Sequence, residues 1–579
     1  MQRVFALLFW AALGYTTPIA ENCHGSGVTY HGINANQVEG FLGIRFAQDA
    51  GGDNRFKPPQ PYTPVERSTI SASNPGPACS QELAKEQHGL SRFTSQVDHI
   101  SEDCLRLNVW RPNGTQAGDK LPALVFIYGG GFTSGFKDNV LYQPGGLILQ
   151  SVSNGYPVMA VEINYRLGVF GFAQSAALRQ AGSENAALRD QRLALDWVSE
   201  NIAAFGGDPS RITIHGQSSG GLAVGMQIMA FGATRSYPFQ QAICESQALE
   251  PGITGNFTRE AMAAVWKATG CNNTGIDSEA TVECLRKLPM QELLKAQLDT
   301  ASSANVGDIW LPVVDGVGGF LPAAPSTLIA EHRFGNISTM MGWCDDDALL
   351  FTPPSIKTPN DTYTFISQYL PEMTESHVRE LLSLYPPSNF TASHDPNGRV
   401  ELAAEVYRCG RIFRDILFTC QPLLYGKALR EAGNEVYFYD QNQTMFSPIL
   451  EHFGLYDEGV VHTSELLYVF GNLSKFDIPG LPYNPSAEDF LLRDQESRSW
   501  ATFAALGHPS LEGHNTLPGW LPAEFSDDNY GVYVIGGPKK GCSGTSGSNS
   551  WARKAITEEK LKVRCGFLNS PDIVREIRY

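Results

Sequence analysis

One ten-residue stretch, 212–221, restricts the possible folds of this chain most strongly. It starts with the β-rich run Ile212-Thr213-Ile214, continues as Gly216-Gln217-Ser218-Ser219-Gly220 and leads into a helix-compatible segment. Gly-x-Ser-x-Gly between a strand and a helix predicts a sharp turn, because small residues at both glycine positions allow a strained serine to project. An ordinary glycine and serine loop is the alternative, and the flanking patterns favour a nucleophilic Ser218.

Strand and helix patterns alternate around this stretch. Residues 121–128 and 158–165 are mostly apolar and lie close to glycine or proline, which predicts buried strands. Residues 185–205 carry Leu188 and Leu195 at helical spacing and end at Gly206, which predicts a crossover helix. This order indicates an α/β fold with a large, mostly parallel central sheet flanked by helices.

The remainder of the chain continues the α/β pattern without a repeat or a linker that would divide it. Helical patterns lie at about 278–298, 374–384 and 402–429, and strand patterns return at 435–439 and 530–535. We therefore expect a single domain over residues 21–579.

A nucleophilic serine needs a general base, and the oxyanion that it creates needs aligned donors in a dry pocket. The run Tyr128-Gly129-Gly130-Gly131-Phe132 comes directly after the first predicted strand. Because the glycines have no side chains, their N–H groups can approach a substrate oxygen. Gly130, Gly131 and the N–H of Ser219 are therefore expected to form an oxyanion hole, with a plain flexible turn as the alternative.

The N-terminus predicts a secreted, extracellular protein. Residues 1–20 have a basic start, an apolar run and then small or turn-forming residues up to Ala20, as signal peptides do. A buried helix is the alternative. The chain has no second apolar run long enough to span a bilayer, and its C-terminus is too polar for a lipid anchor, so we expect no membrane anchor.

Sequons, cysteines and charge agree with secretion. Eight Asn-x-Ser/Thr sequons are predicted glycosylation sites, namely Asn113, Asn256, Asn272, Asn336, Asn360, Asn389, Asn442 and Asn472. Eleven cysteines suit an oxidising compartment, and none of them forms the C-x-x-C pair of a zinc site. The net charge of −17 repels polyanions, so nucleic acid is not an expected partner.

Five segments together resemble the type-B carboxylesterase/cholinesterase family, and in particular its secreted fungal branch. In chain order they are Phe41-Leu42-Gly43-Ile44-Arg45-Phe46-Ala47, Glu102-Asp103-Cys104-Leu105-Arg106-Leu107-Asn108-Val109-Trp110, the segment 128–132, Asn164-Tyr165-Arg166-Leu167-Gly168 and the segment 208–220. The resemblance implies an α/β-hydrolase fold and hydrolysis of small-molecule carboxylic esters through an acyl-enzyme. It implies no metal and no organic cofactor.

The resemblance places the catalytic acid at Asp347. The family's Gly-x-Asn-x-Asp-Glu-Gly segment corresponds to Gly342-Trp343-Cys344-Asp345-Asp346-Asp347-Ala348. Cys344, Asp347 and Ala348 replace the usual residues, which leaves Asp345 and Asp346 as weaker candidates for the acid. A solvated acidic turn or a calcium site is the alternative for three consecutive aspartates.

The resemblance also selects the general base among twelve histidines. His462 lies in Gly459-Val460-Val461-His462-Thr463-Ser464-Glu465, which is similar to the family's catalytic histidine segment. The chain order Ser218, Asp347, His462 is that of α/β-hydrolases. Gln217 and Ser219 stand where the family usually has Glu and Ala, so we expect altered tuning and retained activity.

Two disulfides are implied by the resemblance, Cys79–Cys104 and Cys271–Cys284. Cys420 resembles a family cysteine that pairs near the C-terminus, and either Cys542 or Cys565 could be its partner. The pairing of Cys23, Cys244, Cys344 and Cys409 stays open, as do the oligomeric state and the identity of the ester.

Two alternatives to a simple esterase remain open from the sequence. Residues 80–103 contain no tryptophan to bind a quaternary ammonium, which argues against choline esters, and the loop looks shorter than fungal lipase lids. A lipase or sterol esterase with an interfacial lid is the nearer alternative. A non-catalytic, cholinesterase-like adhesion protein is the other.

Overall fold

The structure, a computed structural model, describes residues 17–23, 25–83, 97–301, 309–394, 401–455, 457–476, 482–525, 530–544 and 549–579. Most of the predicted signal peptide, 1–16, lies outside the described residues. So do residues 84–96 of the loop between Cys79 and Cys104.

Strands are numbered here in chain order through the described ranges. They are β1 (Ile19–Cys23), β2 (Val28–His31), β3 (Ile33–Ala35), β4 (Val38–Arg45), β5 (Thr69–Ser71), β6 (Arg106–Pro112), β7 (Leu121–Ile127), β8 (Met159–Ile163), β9 (Gly207–Gln217), β10 (Gln241–Glu245), β11 (Ser338–Cys344), β12 (Val436–Gln441), β13 (Val532–Ile535) and β14 (Gly541–Cys542).

Helices surround the sheet and are referred to by their bounds. The α-helices are Gly145–Ser153, Gly168–Phe172, Ala176–Gln180, Ala186–Asn201, Ser219–Ile228, Phe257–Ala268, Glu279–Lys287, Met290–Ala301, Pro325–Ala330, Pro359–Tyr369, Glu375–Ser383, Ala404–Arg414, Cys420–Glu431, Ser447–His452, Leu466–Val469, Ala487–Leu506, Ser550–Glu558, Leu561–Leu568 and Pro571–Ile577.

An eleven-stranded sheet forms the centre of the molecule, in the order β14-β13-β12-β11-β10-β9-β7-β8-β6-β4-β3. Neighbours from β8 to β13 are parallel, and the pairs toward both edges are antiparallel. A second sheet, β1-β2-β5, lies at the N-terminal end. The predicted α/β fold with a large, mostly parallel sheet is confirmed.

Apolar runs explain why the inner strands lie where they do. All five residues of β8 are buried, as are the last six of β7 and of β9, because helices cover both faces of the parallel strands. The register places Gly216 of β9 beside Ile127 of β7 and Cys244 of β10. Three buried strand ends therefore meet around the turn that carries Ser218.

Two predicted helical regions are interrupted in the structure. The region 278–298 forms the helices Glu279–Lys287 and Met290–Ala301, with an extended Leu288 directly before Pro289, as a residue preceding proline prefers. The region 402–429 contains a π-helical stretch, Asp415–Thr419, between two α-helices. Such stretches occur often at functional sites.

Candidate active site

Ser218 occupies the sharp turn between β9 and the helix Ser219–Ile228. Its backbone is strained, with φ 60° and ψ −133°, a region that non-glycine residues rarely adopt. The turn is held on both sides, because Ser218 N–H donates to the carbonyl of Glu245 at 2.9 Å and Leu222 N–H donates to the carbonyl of Ser218 at 3.0 Å. The side chain stays partly exposed at the end of the strand.

The two motif glycines are required by close backbone contacts. A Cβ atom at Gly216 would collide with the carbonyl oxygen of Gly220, and a Cβ at Gly220 would collide with that of Ile127. The turn therefore packs directly against the end of β7, which also carries the glycine-rich segment. The predicted strand, turn and helix are present at this position.

The imidazole of His462 and the carboxylate of Asp347 form a buried pair. His462 Nδ1 donates to Asp347 Oδ1 at 2.5 Å, and Asp347 Oδ2 accepts a hydrogen bond from Cys344 N–H at 2.8 Å. This arrangement assigns the proton to Nδ1 and leaves Nε2 as the basic nitrogen. The structure thus brings together two of the three residues predicted for a triad.

Gln217 contacts the other ring nitrogen of the histidine. The side-chain nitrogen of Gln217 lies 3.3 Å from Nε2 of His462. Within the described ranges, the hydroxyl of Ser218 makes no hydrogen bond. The structure therefore shows an arrangement in which the residue before the serine, and not the serine, contacts the basic nitrogen.

The three backbone N–H groups predicted for the oxyanion hole are free to bind a substrate oxygen. Among the described residues, the N–H groups of Gly130, Gly131 and Ser219 have no hydrogen-bond acceptor within the protein. The first two belong to left-handed residues, with φ values of 109° and 58°, which glycine adopts without strain. The hydroxyl of Ser219 accepts a hydrogen bond from Phe132 N–H at 3.2 Å, which links the serine turn to the segment 128–132.

The other two aspartates of the acidic segment contact arginines. Asp345 lies 3.3 Å from Arg414, and both Asp345 and Asp346 lie 3.5 Å from Arg411. Burial, and then the neighbouring Asp345 carboxylate, raises the pKa of Asp346 to about 6. These contacts form an ion network, which differs from both a solvated turn and a calcium site.

Asp346 also holds the segment that carries the histidine. Its N–H donates to the carbonyl of Val460 at 3.0 Å, and its Oδ2 accepts from the N–H of Val460 at 3.1 Å. Two successive aspartates therefore hold the segment, Asp346 through the backbone of Val460 and Asp347 through the imidazole.

The side chains of Cys344 and Glu465 form a buried pair close to Asp347 in the structure. The thiol of Cys344 donates to Glu465 Oε2 at 3.0 Å. Burial, and then the charges of Glu245 and Asp347, holds the pKa of Glu465 well above its usual range. A protonated Glu465 would add no further negative charge beside Asp347.

Two phenylalanine rings enclose the imidazole. Phe418 stacks on His462 with ring centroids 4.9 Å apart, and Phe351 meets it edge-on at 5.1 Å. Phe418 belongs to the π-helical stretch, while the ring of Phe351 is 45% exposed. The imidazole therefore packs against two apolar rings, and one of them, Phe351, is partly exposed.

The structure contains three disulfides. Cys79–Cys104 and Cys271–Cys284 join the residues that the resemblance pairs, and Cys420 is bonded to Cys565. The remaining cysteines are buried and not disulfide-bonded, namely Cys23, Cys244, Cys344, Cys409 and Cys542. The sequence left the choice between Cys542 and Cys565 open. The structure pairs Cys420 with Cys565 of the helix Leu561–Leu568, while Cys542 lies in β14.

The eight predicted glycosylation sites differ in exposure. Asn113, Asn256, Asn272, Asn336, Asn360 and Asn389 are exposed. Asn442 and Asn472 are half-buried, and the side-chain oxygen of Asn472 accepts a hydrogen bond from Ser474 at 2.7 Å. The first six can meet a glycosyltransferase more easily than the last two.

Several residues around the site were not predicted from the sequence. Glu465 lies in the segment 459–465, three residues after His462, and this short spacing is a local signal that the carboxyl group lies near the histidine. Phe351, Phe418 and the arginines at 411 and 414 come from other parts of the chain, and no local pattern marks them. Only the fold brings the two rings to the histidine and the two arginines to Asp345 and Asp346.

Within the described ranges, no group of three or more histidine, cysteine, aspartate or glutamate side chains could hold a metal ion. The same ranges contain no helix that is both long enough and apolar enough to cross a membrane.

A strained serine at a strand-to-helix turn of a parallel sheet, next to a histidine–aspartate pair, defines the α/β-hydrolase class. A family model described as the carboxylesterase family matches residues 24–552. The chain belongs to this family, and it is a carboxylic ester hydrolase.

Two relatives and one solved structure agree with the family assignment, although one of the relatives is named inactive. A secreted lipase of Arthroderma benhamiae is 44% identical, with 100% of this chain and 99% of the relative covered. An inactive carboxylesterase-like protein of Byssochlamys spectabilis is 36% identical, with 93% and 92% covered. The crystal structure of Aspergillus niger EstA has a TM-score of 0.73 at 25% identity and covers 95% of this chain and 99% of that chain.

Proposed function

We propose that the chain is a secreted serine esterase in which Ser218, His462 and Asp347 form the catalytic triad. The observation that carries this proposal is the 2.5 Å hydrogen bond between His462 and Asp347, next to a strained serine. Nδ1 of the imidazole is thereby held by a carboxylate, and Nε2 is left to exchange a proton with the nucleophile.

The reaction follows from the positions of these groups. His462 Nε2 takes the proton of Ser218 as Oγ attacks the ester carbonyl, after the imidazole leaves Gln217. The N–H groups of Gly130, Gly131 and Ser219 stabilise the oxyanion, and the alcohol leaves with the proton from the imidazolium. Water then attacks the acyl-enzyme as His462 takes its proton, the bond between Ser218 Oγ and the acyl carbon breaks, and the imidazolium returns the proton to Oγ as the acid leaves.

Labelling by an organophosphonate tests the nucleophile. The reagent should modify one residue, and peptide mapping by mass spectrometry should locate the adduct on Ser218. Denatured protein is the control, because a merely exposed serine would react to the same small extent in both states. A native chain that does not react would support the non-catalytic alternative, for which the inactive relative provides a precedent.

An apolar group of the ester is expected to lie against Phe351. This ring is 45% exposed beside His462, and an apolar acyl or alcohol group would cover it. The lipase alternative is favoured by the Arthroderma benhamiae relative, which is named a secreted lipase. Rates on p-nitrophenyl esters of rising acyl length, measured with and without an emulsion, separate the two, since only a lipase should require the interface.

We further propose that residues 1–20 are a signal peptide and residues 21–579 a single glycosylated domain. Cleavage after Ala20 would remove the first two residues of β1, Ile19 and Ala20, and would leave the pairing of Cys23 with Val28 of β2. N-terminal sequencing of the secreted protein locates the cut. Mass spectrometry of peptides after enzymatic deglycosylation should show higher glycan occupancy at the six exposed sequons than at Asn442 and Asn472.

A further inference from the structure

A cavity of about 550 Å³ lies between the small N-terminal sheet and the adjoining edge of the large sheet. Tyr30 of β2 and Ile70 of β5 line one side, and Leu42 of β4 lines the other. None of the residues proposed for catalysis lines it. It is therefore separate from the active site.

Two arginines on the cavity wall share a single carboxylate. The guanidinium groups of Arg45 and Arg106 both contact Oδ2 of Asp103, the second of them at 3.3 Å. The adjacent Glu102 is not available to either, because it forms a bidentate pair with Arg55 at 2.6 and 2.7 Å. The three side chains at positions 45, 103 and 106 thus leave one positive charge in excess.

Arg106 is incompletely satisfied. Its Nη1 donates to the carbonyl of Gly43 at 3.2 Å, while its buried Nε has no partner among the described residues. Burial, and then the charge of Arg45, lowers the pKa of this guanidinium. A buried donor and a nearby like charge both cost free energy, and a bound anion would reduce the repulsion between the two cations.

Partly exposed apolar and aromatic side chains, Leu42, Tyr62 and Ile70, line the cavity together with the polar side chains of Ser71, Asn74 and His99. Tyr30 and Ile44 are already buried by the protein, and the guanidinium of Arg45 lies 5.7 Å from the ring centroid of Tyr62. An inorganic anion would satisfy the charge and leave these walls uncovered. A neutral apolar molecule would cover the walls and leave the charge unpaired.

We propose that this cavity binds a monoanionic carboxylate with a short apolar tail, whose carboxylate is held by Arg45 and Arg106. The single excess charge matches one carboxylate, and guanidinium groups suit its two oxygens. The tail lies against Leu42, Tyr62 and Ile70, the partly exposed apolar and aromatic side chains of the lining. This proposal does not depend on which residue is the nucleophile.

Isothermal titration of the full chain with octanoate tests the proposal. One octanoate should bind per cavity, and octan-1-ol and inorganic phosphate should each bind at least about tenfold more weakly, because each lacks one of the two interactions. The active site of an ester hydrolase can also bind octanoate, so the titration is repeated after labelling with an organophosphonate. Binding that labelling abolishes would belong to the active site and would overturn the proposal.

Charge variants locate the bound octanoate. Arg45→Gln and Arg106→Gln should each weaken binding by about tenfold or more, whereas Arg553→Gln, on the distant helix Ser550–Glu558, should not. Asp103→Asn removes the competing carboxylate and should strengthen binding several-fold, an effect that loss of folding cannot imitate. Unchanged binding in both cavity arginine variants, or weaker binding in Asp103→Asn, would contradict the proposal.

Discussion

The side-chain nitrogen of Gln217 lies 3.3 Å from Nε2 of His462, the nitrogen that receives the proton of Ser218 in the proposed reaction. The amide nitrogen can donate to Nε2, so the amide must move away before Nε2 takes the serine proton in the proposed reaction. The family usually has a carboxylate there. The substitution therefore removes a negative charge from the immediate surroundings of the general base.

Gln217→Glu should move the acidic limb of the kcat/KM profile to higher pH by about one unit, because a carboxylate at this distance stabilises the imidazolium. The measurement is the pH dependence of hydrolysis of a soluble p-nitrophenyl ester. Gln116→Glu makes the same change of charge at an exposed position and should leave the profile in place. An unshifted profile for the first variant would show that the contact has no electrostatic effect on the base.

Asp347→Asn should lower kcat by about 10⁴-fold, because an amide cannot hold the imidazole in the required tautomer. Asp345→Asn should have a far smaller effect, since this carboxylate faces Arg414 and not the histidine. Steady-state kinetics on the two purified variants decides the assignment. A larger loss in the Asp345 variant would move the acid to the alternative position.

Gly220→Ala should destabilise the protein by about 3 kcal/mol or more, because the added Cβ would collide with the carbonyl of Ile127. Gly566→Ala is the matched control. Its added Cβ would meet nothing within 4 Å inside the helix Leu561–Leu568, so the helix should gain about 0.5–1 kcal/mol. Urea unfolding measures both changes, and equal effects would refute the close packing of the turn.

Glu458→Gln should stabilise the protein more at pH 8 than at pH 5. Burial, and then the Asp346 carboxylate, raises the pKa of Glu458 from 4.5 to about 7. Between these values the folded chain keeps a proton that the unfolded chain has lost, so the wild type loses stability as the pH rises. The variant does not, and the difference between the two should grow up to about pH 7.

Urea unfolding at the two pH values measures this difference for Glu458→Gln. Glu451→Gln, at an exposed position on the helix Ser447–His452, is the control and should show no such dependence. A constant difference between wild type and Glu458→Gln would mean that Glu458 ionises normally in the folded protein.

The features near Ser218 could be predicted because they are local. Apolar runs next to glycine mark β7, β8 and β9, and the motif at 216–220 needs only its neighbours to form the turn. The break at Pro289 in the helical pattern 278–298 is also predictable from the sequence, because proline restricts the conformation of the residue before it. The sequence patterns do not predict the small sheet β1-β2-β5, since its strands are short and β2 pairs with β5 about 40 residues further along the chain.

Contacts across long separations account for what the sequence could not show. Gln217 and His462 are 245 residues apart, so their contact depends on how the histidine segment returns to the sheet. Cys420 pairs with Cys565 at a separation of 145 residues, and the choice against Cys542 depends on the C-terminal helices. The role of Asp346 likewise follows from its contact with Val460.

Turnover of a soluble ester by Ser218→Ala tests the central claim most directly. The variant should lose roughly 10⁴- to 10⁶-fold in kcat while keeping the unfolding profile of the wild type, because only the attacking oxygen is removed. Ser219→Ala, which keeps its backbone donor, should lose far less. Ester hydrolysis that is unchanged in Ser218→Ala would contradict the account.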